Sequence, residues 1–226
     1  LTLALESLGS PAMGFIELSR WHLDERRYEP ALELAQRIFD FDIPESLRKE
    51  AENTWLASFR LAGRIKSILP QIREMVTDGI PEHLAYNLFW GCDDLDFEIA
   101  SKAALKLADT EKNGHRKVWW RISAAKGRAR LGDDTLLEEV EADLGDFAEG
   151  WARLSFVLSS LKRFSDADRA ALKAHELDPK ELKVLSSMEE YSLRQGVLDG
   201  AFEYAQKLHE LYPHEHHGSE RLAGLY

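Results

Sequence analysis

The chain has 226 residues, 44% hydrophobic and 31% charged, a composition that excludes disorder and is large enough to bury a real core. A net charge of −11 disfavours duplex nucleic acid and anionic membrane as principal partners, since both repel an acidic surface. A single cysteine, Cys92, excludes an intrachain disulfide and a cysteine-built metal cage, and no apolar run reaches the roughly 18 residues that span a bilayer.

Residues 1–10 (LTLALESLGS) precede Pro11 and read as the tail of an earlier helix. They are too short, lack a basic start and carry Glu6, so they do not read as a secretory signal. From there helical signals dominate. Residues 28–39 (YEPALELAQRIF) place apolar or small side chains three and four apart with charges between them, the period of an amphipathic helix. A second region around Trp55 and Ile68 is also helical, but its register is ambiguous because Pro70 falls where its second helix should run. Residues 96–109 (DFEIASKAALKLAD) give a further helix with Ala100 and Ala104 on one face, and 166–177 (DADRAALKAHEL) another. Pro and Gly fall mostly between these segments, and β-branched alternation is nearly absent. The chain therefore reads as all-α, with many medium helices joined by short turns.

Residues 151–179 and 185–213 align at a constant offset of 34: Trp151 with Leu185, Leu154 with Met188, Ala167 with Ala201, Ala171 with Ala205, and Pro179 with Pro213. An N-terminal copy supplies Phe15, Leu18, Ala31 and Ala35, and in a fourth copy Trp120 takes the large position. Alanines at i and i+4 lie on one helix face and allow a neighbouring helix to approach closely.

This pattern resembles the tetratricopeptide repeat (TPR) family, most specifically in RRYEPALELAQRIFDFD and KRFSDADRAALKAHELDP. The resemblance implies a right-handed α-solenoid of about six antiparallel helix pairs, with repeats near 11–44, 45–80, 81–114, 115–146, 147–179 and 180–213. Residues 214–226 are then a tail or capping helix, and both ends read as joined to something longer. It implies a non-enzymatic scaffold that binds another protein or peptide in a concave groove.

No catalytic, cofactor or metal site is expected. His209-Glu210 opens like a zinc-protease motif, but Pro213 stands where the second His is needed. His214, His216 and His217 lack the i, i+4 spacing of two helical ligands and read as a solvated linker. Gly127 and Gly132 have phosphate-loop spacing, yet Asp133 and Asp134 follow where Lys and Ser or Thr are required. Ser159 and Lys162 match a bare Ser-x-x-Lys string without its partner motifs, and Cys92 has no nearby His to activate it, so it reads as a small buried side chain.

One stretch stands apart in charge. Residues 112–132 hold seven Lys or Arg and no acid. Lys117, Arg121 and Arg128 share a helical stripe. The TPR resemblance places Arg121 and Arg128 on the groove, flanked by Arg153 and Phe156 from one neighbouring repeat and by Tyr86 and Phe89 from the other. That arrangement suits an extended acidic segment or a carboxylate. The opposing reading is that these cations neutralise acids such as Glu138, Glu139 and Glu141 within the stack. Nucleic acid is not expected as the partner. Two further possibilities are a periplasmic TPR segment of an outer-membrane exopolysaccharide export protein that recruits partner enzymes, and a peptide-responsive regulator. The compartment, cytoplasmic or periplasmic, stays open.

Overall fold

Small and apolar residues recurring three and four positions apart wind the chain into α-helices and leave no strand among the described residues, 10–214, of the computed structural model. The terminal stretches expected to hold a preceding helix and a capping helix lie outside the described residues. The chain divides into two compact units, residues 1–107 and 108–226.

In the first unit α1 (Pro11–Asp24) pairs with α2 (Tyr28–Gln36), which is followed by a 3-10 turn (Ile38–Asp40). Next come α3 (Glu45–Leu61), a 3-10 turn (Ile65–Ile68) running into α4 (Leu69–Met75), and α5 (Glu82–Cys92). Helix α6 (Phe97–Thr110) crosses the division between units. Helix α1 packs on α3 and α3 on α5, with α2 also against α3.

The second unit holds three pairs: α7 (Gly114–Arg130) with α8 (Thr135–Asp143), α9 (Ala148–Ser160) with α10 (Phe164–Leu177), and α11 (Leu182–Arg194) with α12 (Leu198–Leu211). First helices again stack on first helices, α7 on α9 and α9 on α11, and α10 packs against α11. Within each unit successive helix pairs stack side by side as in an α-solenoid.

The seams are made of small residues. Ala31, Ala35, Ala104, Ala167, Ala171, Ala201 and Ala205 are fully buried, and Ala100 nearly so. A methyl group keeps backbones close, and larger side chains take up the remaining volume. Phe15 is buried and stacks on Phe41 with centroids 5.3 Å apart. Trp120 and Leu154 are buried, whereas Leu18 and Trp151 are half-buried. The Trp151 indole Nε1 donates to the Gly145 carbonyl at 2.8 Å, which satisfies its one polar atom. Pro179 and Pro213 are exposed, each two residues beyond the end of its helix, α10 and α12. Asp178 ahead of Pro179 is extended, as the proline ring requires of its predecessor.

Pro70, which obscures the second repeat in the sequence, lies in the first turn of α4. A helix has no internal acceptor for its first amides, so the missing N–H costs nothing there. The residues before it form the 3-10 turn Ile65–Ile68, whose two isoleucines are buried, so the second helix of this repeat is short and starts late.

Five first helices end on the same cap. Arg26, Gly63, Gly132, Lys162 and Gly196 all have positive φ, at 56°, 69°, 88°, 62° and 73°. In each case the next residue's amide donates to a carbonyl five positions back: Arg27 to His22, Arg64 to Phe59, Asp133 to Arg128, Arg163 to Leu158 and Val197 to Ser192. These are Schellman caps, which satisfy the carbonyls a helix end otherwise orphans. Arg26 and Lys162 occupy a conformation that disfavours any side chain with a Cβ. Lys162→Gly is therefore expected to stabilise the protein by about 0.5–1 kcal/mol, read from the urea midpoint. A lower midpoint would mean that glycine's unfolded-state entropy outweighs the relieved strain.

Candidate functional site

Asn113 begins the site by capping α7. Its side-chain oxygen accepts from the Arg116 amide at 3.1 Å, which fixes the first helical turn. His115 in that turn lies against the Phe147 ring at 4.3 Å. Trp119 and Trp120 are adjacent in sequence and so point in different directions around the helix. Trp120 goes into the packing, 7% exposed, and Trp119 lines a cleft, with 4.0 Å between their ring centroids.

The facing wall comes from α9, where Glu149 and Arg153 are four apart and share a face. The Arg153 guanidinium lies 5.7 Å over the Trp119 ring, donates from Nε to Glu149 Oε1 at 2.8 Å, and places Nη2 2.6 Å from the same oxygen in an ion pair. Asn113, His115, Arg116, Trp119, Glu149 and Arg153 together line an open cleft of ≈ 420 Å³. A cation over an aromatic face is attracted by the negative face of the ring, which helps to hold the Arg153 guanidinium at the cleft.

Glu181 caps α11, accepting from the Val184 amide at 2.9 Å. Burial pushes its carboxyl above the usual range, and the nearby Glu149 charge pushes the same way, against the cap bond that favours ionisation. The Glu149 and Glu181 charges therefore repel one another.

Of the side chains expected on the groove, Arg153 is the one that lines this cleft. Arg121 pairs with Asp143 at 2.7 Å and lies 4.0 Å from Glu139, both on α8. Arg128 pairs with Asp133 at 3.5 Å across the turn after α7. Lys117 is exposed and Phe156 half-buried on their respective helices. Tyr86 and Phe89 belong to the first unit, on α5; Tyr86 is exposed with Arg60 5.8 Å over its ring, and Phe89 is buried. The groove set expected from the sequence leaves out Arg116, Trp119 and Glu149, although Arg116 belongs to the basic stretch and Trp119 to the adjacent tryptophan pair. The available signal was the basic, aromatic start of α7 combined with the Glu149/Arg153 spacing in α9.

Cys92 is buried at the end of α5, and desolvation raises its thiol to about 12, with Asp96 adding to the shift and Arg73 opposing it. The thiol stays protonated at neutral pH. Among the described residues no group of three or more His, Cys, Asp or Glu is placed to hold a metal ion, and no helix is long and apolar enough to cross a membrane. His216 and His217 lie outside the described residues.

No family model matches the chain, and no curated protein matches it. Among solved structures it is similar to a thermophilic TPR protein of Thermus thermophilus, with 18% identity, 95% of this chain and 98% of that chain covered, and a TM-score of 0.42.

Proposed function

We propose that this helical-repeat protein is a non-enzymatic scaffold whose second unit holds an extended acidic segment of a partner protein in the cleft between α7 and α9. The single observation that carries the reading is the Arg153 guanidinium lying over the Trp119 ring in an open cleft that Arg116 also lines. Two cations set on a rigid helical frame can take two carboxylates of one chain, and charge-assisted bonds of that kind are stronger than neutral ones. Support also comes from the seven basic residues between 112 and 132 in a chain that is acidic elsewhere. Arg121 and Arg128 are neutralised by Asp143 and Asp133, so the steering field comes chiefly from the basic start of α7, at Lys112, Arg116 and Lys117.

A fluorescein-labelled peptide of alternating Glu and Ala tests the reading by fluorescence anisotropy at low and moderate salt. Saturable binding is expected, weakening with salt as screened ion pairs do. Substituting Trp119→Ala together with Arg153→Gln should weaken it by about tenfold or more, with circular dichroism unchanged. Equal binding by the variant and the parent protein would sink the assignment of the cleft.

A further inference from the structure

We propose that Glu149 is an internal competitor for the cleft, holding Arg153 in the free protein so that only closely spaced acidic groups displace it. The inference rests on the reading of the cleft as an acidic-segment site, and it specifies which segments are admitted. The geometry is that of an occupied subsite: one Glu149 oxygen accepts from the Arg153 Nε at 2.8 Å and lies 2.6 Å from Nη2 in the same ion pair. An incoming carboxylate must take those donors over.

Displacement carries a second cost. Glu149, once released, keeps its charge near Glu181, whose carboxylate is held in place as the α11 cap. Opposing charge on the same side comes from Lys183 next to that cap, and across the cleft from Arg116, with His115 beside it. An isolated carboxylate gains Arg153 and leaves Glu149 behind, a near-even exchange. Two acids a few residues apart gain Arg153 and Arg116 together, and the second contact tips the balance by the effective-concentration effect of a tethered pair. Glu149 therefore sets a threshold that favours acidic clusters over single acids.

The test compares the parent protein, Glu149→Gln and Arg153→Gln against two labelled peptides: one carrying adjacent glutamates, and its glutamine analogue. Glu149→Gln should bind the glutamate peptide about three- to tenfold more tightly, the span expected for removing a half-buried competing ion pair. Its affinity for the glutamine peptide should not change, and Arg153→Gln should lose the gain. If Glu149→Gln leaves glutamate-peptide affinity unchanged or weaker while Arg153→Gln abolishes it, the competitor is wrong and the cleft reading stands. Tighter binding of both peptides would mark loosened packing and overturn the inference. No binding of the glutamate peptide by either the parent or Glu149→Gln would overturn both.

Discussion

Leu154→Ala is expected to cost about 3 kcal/mol, well beyond what truncating an exposed side chain of the second unit should cost. Leu154 is fully buried on α9, in a cluster with Ile122 of α7, Leu137 and Val140 of α8, Leu158 of α9 itself, and Ala167 and Ala170 of α10. Four helices thus contribute to the cluster that holds this side chain. Several of its neighbours are alanines, which have no flexible atoms to move into a void, so the cavity left by truncation should persist. The loss is then the transfer term for the removed carbons plus the cavity term. Leu154→Met keeps most of the volume and should cost under about 1.5 kcal/mol. Urea unfolding followed by circular dichroism reads both variants, and a loss below about 1 kcal/mol for the alanine would show that the site collapses.

The second large effect concerns Arg194 at the end of α11. Its Nε donates to Asp168 at 2.9 Å and its Nη1 to Glu190 at 2.8 Å, and Nη1 also approaches Ser159 at 3.4 Å. Nη2 is 2.8 Å from the Asp168 carboxylate but is not aligned for a hydrogen bond, so Nε carries the directional contact. The Arg194 side chain is only 15% exposed, and it ties α9, α10 and α11 together. Arg194→Met preserves much of the packing but leaves two carboxylates without their cation. A fully buried pair broken in this way loses more than an exposed one, and this partly exposed cluster should lose about 2 kcal/mol. Most of that loss is the cost of stranded charge. Adding Asp168→Asn and Glu190→Gln to Arg194→Met should therefore recover at least half of it. If the triple variant is no more stable than the single one, the arginine acts mainly through its bonds rather than by compensating charge.

The helices and their alanine seams were legible because a methyl stripe at i, i+4 has one sensible use, close approach of a neighbour, and Ala167, Ala171, Ala201 and Ala205 serve it. The caps were only partly legible. Gly63, Gly132 and Gly196 advertise a positive φ, while Arg26 and Lys162 adopt one without any compositional sign. The cleft was harder still. A helical face can be read from a sequence only when its rotation is known, and the cap spacing that fixes the rotation varies, with 30 positions from Gly132 to Lys162 and 34 from Lys162 to Gly196. Arg121 and Arg128 do form a stripe, but α8, only nine residues long, carries the acids that meet Arg121. Trp119 was hidden by its neighbour, since one tryptophan of the pair is core and the other is not, and nothing in the letters says which.

The recurring left-handed residue also works as a punctuation mark for the chain. Cut from just after one such residue to the next, residues 163–196 contain a complete α10, the α11 that packs against it, and the terminating glycine that closes the piece. Such a cassette carries its own stop signal and an alanine face at its leading end. A tandem copy would present to the next segment the same surface that the original does, so the array can be lengthened or shortened by whole cassettes without designing a new joint.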